Sequence, residues 1–200
     1  MKEEKIIRPN KKELEMLRLL YDKFFHLYEE IRSKEFLKLD ASIRFMKLSK
    51  MFAIYNEAQL YPPIKYVLDD LDKIRPKSEK FIALNLFSFI RNVLAHYPVF
   101  DSWNEVYITK NLATWSDKIK NKSILRFLDD CEKLDDYNRN PKFRIFDNKN
   151  KKFEYFEINF PSGLKDDDKV YLKDIISEEA GIRFCTIFMM KYLSIQLEED

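Results

Sequence analysis

The sequence predicts a mainly α-helical protein: a helical bundle with one small β-hairpin at about residues 142–160 and a long C-terminal helix at about residues 169–197. Three observations lead there. Apolar residues recur at helical spacing through most of the chain. Only two glycines occur in 200 residues, which leaves few left-handed turns and favours helices joined by short polar loops. At residue 142 the pattern changes to aromatic and β-branched residues around a polar cluster, as a hairpin requires. The length suits a single domain, residues 1–200, able to bury a real core.

Each element has a local reason. Leu14, Leu17, Leu20 or Tyr21, Phe24, Leu27 or Tyr28 and Ile31 line one face of a helix within residues 11–39. A second helix starts after Asp40 and runs through "IRFMKLSKMFAIYNEAQL". Pro62 and Pro63 stop it, because proline supplies no amide donor and restricts the residue before it. A short helix, "IKYVLDDLDKI", follows. "RPKS" then breaks the pattern and offers Ser78 as N-cap for the next helix, "FIALNLFSFIRNVLAHYP". That helix should end near His96, since Pro98 biases Tyr97 away from helical geometry. Ser102 and Glu105 have the spacing of a capping box, predicting a helix through "WNEVYITKNL". "SILRFLDDCEKL" reads as an amphipathic helix capped by Ser123. "KFRIFDNKNKKFEYFEINF" reads as two strands about a turn at 147–152, a unit marginal by itself and expected to lean on the helices. "PSGLKDDD" is a loop whose aspartates can cap the last helix.

Composition excludes several functions. The 36 basic and 34 acidic residues leave a net charge of +2, so global charge does not mark a nucleic-acid binder. Cys131 and Cys185 stand far apart with no metal or redox spacing, and the only histidines are His26 and His96. A zinc site is therefore not expected, and two lone thiols fit a reducing, cytoplasmic setting. The start, "MKEEKIIRPNKKELEML", has no apolar signal region. The apolar runs "FIALNLFSFI" and "FCTIFMM" fall short of the ~20 residues a bilayer span needs. No P-loop, dinucleotide fingerprint, HExxH or Ser–His–Asp arrangement is present. His26 reads as a packing or surface residue, and "DDCE" and "KDDDK" as solvated turns or caps.

One helix breaks the chain's own habits. Wound at about 100° per residue, residues 81–96 place Asn85, Ser88, Asn92 and His96 on one stripe, with Arg91 on its flank. Arg91 is close enough there for its long side chain to curl toward Asn92. An ordinary solvent-facing stripe would hold Lys and Glu, as the other helices do. Amides and a hydroxyl suit a desolvated, hydrogen-bonded surface such as a cleft or a subunit interface.

"RNVLAH", Arg91-Asn92-x-x-x-His96, resembles the R-x4-6-H motif of the HEPN superfamily, in which a polar residue, often Asn, follows the arginine. The likeness extends to architecture over residues 11–135: a compact helical bundle with the motif late in a long core helix. The hairpin and last helix lie outside it. Membership implies a metal-independent endoribonuclease without cofactor, of the kind found in toxin–antitoxin, abortive-infection and CRISPR-linked systems. It further implies a homodimer whose two motifs form one composite site, RNA as substrate, and an antitoxin or other regulatory protein as partner. One departure stands out: the branch paired with nucleotidyltransferases has Tyr two residues after the histidine, where this chain has Pro98.

The chemistry suits the residues. RNA carries its own nucleophile, the 2′-hydroxyl, so cleavage needs one group to take a proton, one to give a proton and one to hold the phosphorane charge. Imidazole serves the first two tasks and guanidinium the third. The expected catalytic residues are thus Arg91, Asn92 and His96, with Asn85, Ser88 and Tyr97 as RNA contacts. In the hairpin, Lys142, Arg144, Lys149, Lys151 and Lys152 interleave with Phe143, Phe146 and Phe153, a mixture that can hold a single strand. The competing view of the hairpin is a solvated edge with its aromatics packed inward. The competing views of the chain are a non-catalytic HEPN-like module that binds RNA, nucleotide or protein, and an unrelated helical structural protein.

Overall fold

The computed structural model describes residues 9–62, 64, 69, 73, 77–114, 121–147, 151–193 and 197. The short helix expected at "IKYVLDDLDKI" therefore lies mostly outside the described residues, as do the hairpin-turn residues 148–150. The architecture is mainly helical with a small two-stranded antiparallel hairpin. Among the described residues, no helix is long and apolar enough to cross a membrane. The chain forms two compact units, Met1–Ile74 with Arg183–Asp200, and Arg75–Ile182.

The first unit is built on α1 (Lys11–Ile31) and α2 (Ala41–Gln59), which pack against each other. Asn10 starts α1: its side chain accepts from the amides of Lys12 and Glu13, while Glu13 returns a carboxylate to the Asn10 amide. This capping box satisfies donors that the first helical turn leaves open. Leu17, Phe24 and Leu27 of α1 and Leu48, Met51, Phe52 and Tyr55 of α2 are buried. The Tyr55 ring meets Phe188 and Phe184 edge-on, at 5.4 and 6.5 Å between centroids. α2 ends at Gln59, before Pro62, as the proline rule expects. His26 is exposed.

In the second unit, α3 (Lys77–Lys80) runs into a π-helical segment, Phe81–Leu86, and then into α4 (Phe87–His96). α4 packs on α6 (Lys122–Glu132). An aromatic cluster joins these elements: Phe127 stacks on Phe89 at 4.2 Å and on Phe81 at 5.5 Å, and Phe160 meets Phe81 edge-on at 4.9 Å. Such pairs add about 0.5–1.5 kcal/mol each beyond their buried area. They hold one side of the motif helix against the core.

Several boundaries differ from the sequence reading, the largest of them for a tertiary reason. Residues 102–114 are not one helix. Ser102 and Glu105 close a single turn, Tyr107–Ile108 is strand β1, and Thr109 caps the short helix α5 (Lys110–Ala113) by accepting from the Leu112 amide. β1 pairs antiparallel with β4 (Val170–Tyr171), so the C-terminal helix cannot begin at 169. Instead Leu172–Ile175 forms a short helix, α8, and α9 spans Glu178–Phe188, continued by a π segment at Met189–Leu193. The break between α8 and α9 is held by Trp103 Nε1, which donates to the Ile176 carbonyl, and by the Asn159 amide, which donates to that of Ile175. Ser177 Oγ then accepts from the Ala180 amide at the start of α9. Asn121, rather than Ser123, caps α6, and Ser78 lies within α3.

The aspartates of the "KDDD" loop do not cap α9. Asp168 accepts from the Lys165 amide, and Asp167 accepts from Asn111 Nδ2 at 2.6 Å, so both tie the loop down. Gly163 turns this loop at φ 65°, the left-handed region that favours glycine. The Glu132 carboxylate accepts from the Gly163 and Leu164 amides at 3.0 and 2.8 Å. The Leu164 bond first, then that of Gly163, lowers the Glu132 pKa below the usual carboxylate value. A depressed folded-state pKa gives stabilisation that is complete above the unfolded value of about 4.5 and is lost as pH falls through the folded value. Glu132→Gln should therefore speed hydrogen exchange at Gly163 and Leu164 at neutral pH, and remove the wild type's acceleration below pH about 4.5. Unchanged exchange at both amides would dismiss the latch.

β2 (Lys142–Asp147) and β3 (Lys152–Glu157) form the expected hairpin, in the register Lys142 to Glu157 through Asp147 to Lys152. α7 (Asp136–Arg139) precedes it. The base is anchored by the Phe160 amide, which donates to the Arg139 carbonyl, and by burial of Ile158 and Phe160. Arg139 in turn donates to the carbonyls of Leu134 and Pro161, at 2.7 and 3.1 Å.

Candidate active site

The candidate site lies along α4 and its π-helical approach. A π turn spaces hydrogen bonds five residues apart, so the uniform α-helical winding applied to residues 81–96 does not hold for Phe81–Leu86. Asn85 sits in that widened turn and is rotated relative to the stripe that Ser88, Asn92 and His96 share. It remains on an accessible side. Asn85, Ser88 and Arg91 are all half-buried, while Phe87, Phe89, Ile90, Val93 and Leu94 are buried.

The motif residues have distinct surroundings. Asn92 is only 8% exposed. Its Oδ1 accepts from Arg91 Nη1 at 2.9 Å, so the guanidinium curls to the amide beside it. Among the described residues no carboxylate pairs with Arg91. An arginine in a chain with 34 acidic residues has many chances to form an ion pair, and this one is held by a neutral group. Asn92 keeps both donors of its amide nitrogen, since no described residue accepts from them. His96 closes the last turn of α4, exposed and without a hydrogen bond or ion pair among the described residues.

Ser88 gives the stripe further character. Ser49, in the middle of α2, returns its hydroxyl to the Phe45 carbonyl at 2.9 Å, a common use of serine inside a helix. Ser88 makes no such bond, and neither it nor Asn85 has a hydrogen-bond partner among the described residues. Beyond the Arg91–Asn92 contact, Asn85, Ser88, Arg91, Asn92 and His96 thus present donors and acceptors that no described residue meets. The face is polar, carries one cation that no described carboxylate pairs, and has neither Lys nor Glu.

Comparison of the chain with protein-family models, with curated proteins and with solved structures finds no match. The site is therefore read from its own geometry.

Tyr97 has a different environment from the stripe. Its hydroxyl donates to the Leu112 carbonyl at 2.9 Å, and burial raises its pKa. Its amide donates to the Val93 carbonyl, and its backbone leaves helical geometry at φ −125°, ψ 65°, ending α4 directly after His96. Tyr97 thereby ties the end of α4, one residue after His96, to α5. Sequence reasoning gave no sign of Leu112, because that contact joins residues 15 apart in the chain.

The hairpin cations lie elsewhere in the same unit. Lys149 lies outside the described residues. Lys151 and Lys152 are exposed at the turn, Lys151 with a left-handed backbone at φ 52°. Cys131 and Cys185 are buried with raised pKa values, Cys131 up to about 12 chiefly through desolvation, and neither thiol is poised to react. Among the described residues no group of three or more His, Cys, Asp or Glu side chains is placed to hold a metal ion.

Proposed function

We propose that the chain is a metal-independent endoribonuclease of the HEPN kind, working as a homodimer and serving as a toxin or phage-defence effector restrained by a partner protein. The observation that carries this reading is the Arg91–Asn92 contact. It holds against Asn92 a guanidinium that no described carboxylate pairs, on a helix face that ends, one turn later, in the exposed imidazole of His96.

In the proposed reaction the 2′-oxygen attacks the adjacent phosphorus. Its proton passes to the imidazole of one His96, and the bond from phosphorus to the 5′-oxygen breaks. The departing 5′-oxygen takes a proton from the His96 imidazolium of the second copy. Arg91, oriented by Asn92, holds the equatorial phosphate oxygens, where a planar guanidinium can grip two at once. The free donors of Asn92, Ser88 and Asn85 extend that grip along the strand. One helix supplies one imidazole and one guanidinium, and two-fold pairing of the stripes supplies both proton-transfer groups.

Two measurements test this reading. RNA carrying 2′-O-methyl groups throughout should resist the protein, and unmodified RNA should yield 2′,3′-cyclic phosphate and 5′-hydroxyl ends. Products with 5′-phosphate ends would mean attack by water and would overturn the mechanism. Sedimentation should show a dimer; a monomer at all concentrations would remove the composite site. One observation favours the alternative of a non-catalytic binding module: within a single chain, no described group holds the His96 ring in place. That alternative predicts RNA affinity with no cleavage of any substrate.

A further inference from the structure

From the exposed aromatic pair on β3 we infer that the hairpin is a stacking platform for single-stranded RNA, separate from the α4 stripe. Phe153 and Tyr155 are 49% and 58% exposed. Being two residues apart on one strand, they lie on the same face, about 6.5–7 Å apart along the chain. The aromatics of this strand are thus not all packed inward. The Phe160 ring, just past the base of the hairpin, does pack inward, against Phe81 and Phe127.

The cations around the pair select the ligand. The register sets Arg144 across from Tyr155 and Lys142 across from Glu157. Lys151 stands exposed at the turn end, whereas Lys152, across from Asp147, alternates to the opposite face. Basic positions on the two-ring side are thus Lys142 and Arg144 toward the base and Lys151 toward the turn. The one acid at this face, Glu157, is paired with Lys142 at 3.3 Å, both side chains largely exposed. An apolar protein partner would favour a face without this basic frame. Polyanion contact together with flat rings is what a single strand requires: phosphates meet the cations and unstacked bases lie on the rings. Six paired positions give room for about two or three nucleotides. A duplex, whose bases are already stacked, offers the rings nothing.

The ligand class is shared with the proposed function, but the platform does not depend on cleavage. The test uses the full-length His96→Ala protein, which leaves the probe intact, and a fluorescein-labelled 12-nucleotide single-stranded RNA followed by anisotropy. Phe153→Ala and Tyr155→Ala should each weaken binding about 5- to 100-fold. Phe153→Leu and Tyr155→Leu, which keep apolar bulk on the strand, should lose nearly as much. Lys151→Gln should weaken binding and flatten its salt dependence by about 0.7. A double-stranded probe should bind at least tenfold more weakly. The inference is overturned if wild-type affinity survives the aromatic substitutions, if leucine restores it, if duplex binds equally well, or if the protein binds no single strand. Binding of this kind with no cleavage by the wild type would leave the platform standing and remove the ribonuclease.

Discussion

His96→Ala is expected to lower the RNA cleavage rate by about 10²–10⁴-fold, the usual range for a proton-transfer group. Arg91→Ala should cost about 10²–10³-fold, as loss of a charge-stabilising donor does. The fold should report the two differently. His96 is exposed and makes no bond to a described residue, so its loss should change stability by no more than about 0.5 kcal/mol. Arg91→Ala leaves the buried Asn92 Oδ1 without its partner, at about 1 kcal/mol. Single-turnover rates on a labelled RNA, beside urea denaturation of each variant, check both halves. Unfolded protein from both substitutions would instead make these residues structural.

Asn92→Asp is the sharper discriminator between a site and ordinary packing. Asn92 Oδ1 already accepts from Arg91 Nη1 at 2.9 Å, so an aspartate of the same shape would form an ion pair in place. That pair neutralises the guanidinium and sets a negative charge where phosphate must come. Cleavage should fall by about 10²-fold or more. Folding should persist, because the new carboxylate meets a cation at hydrogen-bond distance and its desolvation is offset. A buried amide that serves packing alone would let the change alter stability but leave the rate of the folded protein untouched. Wild-type turnover from folded Asn92→Asp protein would take Asn92 out of the site.

What the sequence made legible was local. The helices over Lys11–Ile31 and Ala41–Gln59 follow from apolar spacing and from proline, and the hairpin follows from strand residues about a polar turn. The end of α4 at His96 follows from Pro98 two residues on. The Arg91–Asn92 contact was within reach because neighbours on a helix flank can touch through a long side chain. The misread boundaries at 102–114 and at 169 come from bonds made across the chain. Residues 102–114 carry a capping-box pattern, yet β1 is committed to Val170–Tyr171, and that pairing denies helix to both segments. The bond from the Tyr97 hydroxyl to the Leu112 carbonyl likewise joins residues that no local pattern links. The π turn at Phe81–Leu86 changes the rotation per residue without any proline or glycine inside it to mark the place. On the hairpin, the same alternation serves a solvated edge or a binding face, and the pattern alone does not tell that Phe153 and Tyr155 are exposed.

If Arg91, Asn92 and His96 cut RNA without a metal, pure protein should cleave a labelled RNA equally well in excess EDTA, and His96→Ala at equal concentration should not cleave it. Cleavage that EDTA stops, or that persists at the wild-type rate in His96→Ala, would refute metal-independent cutting by these residues.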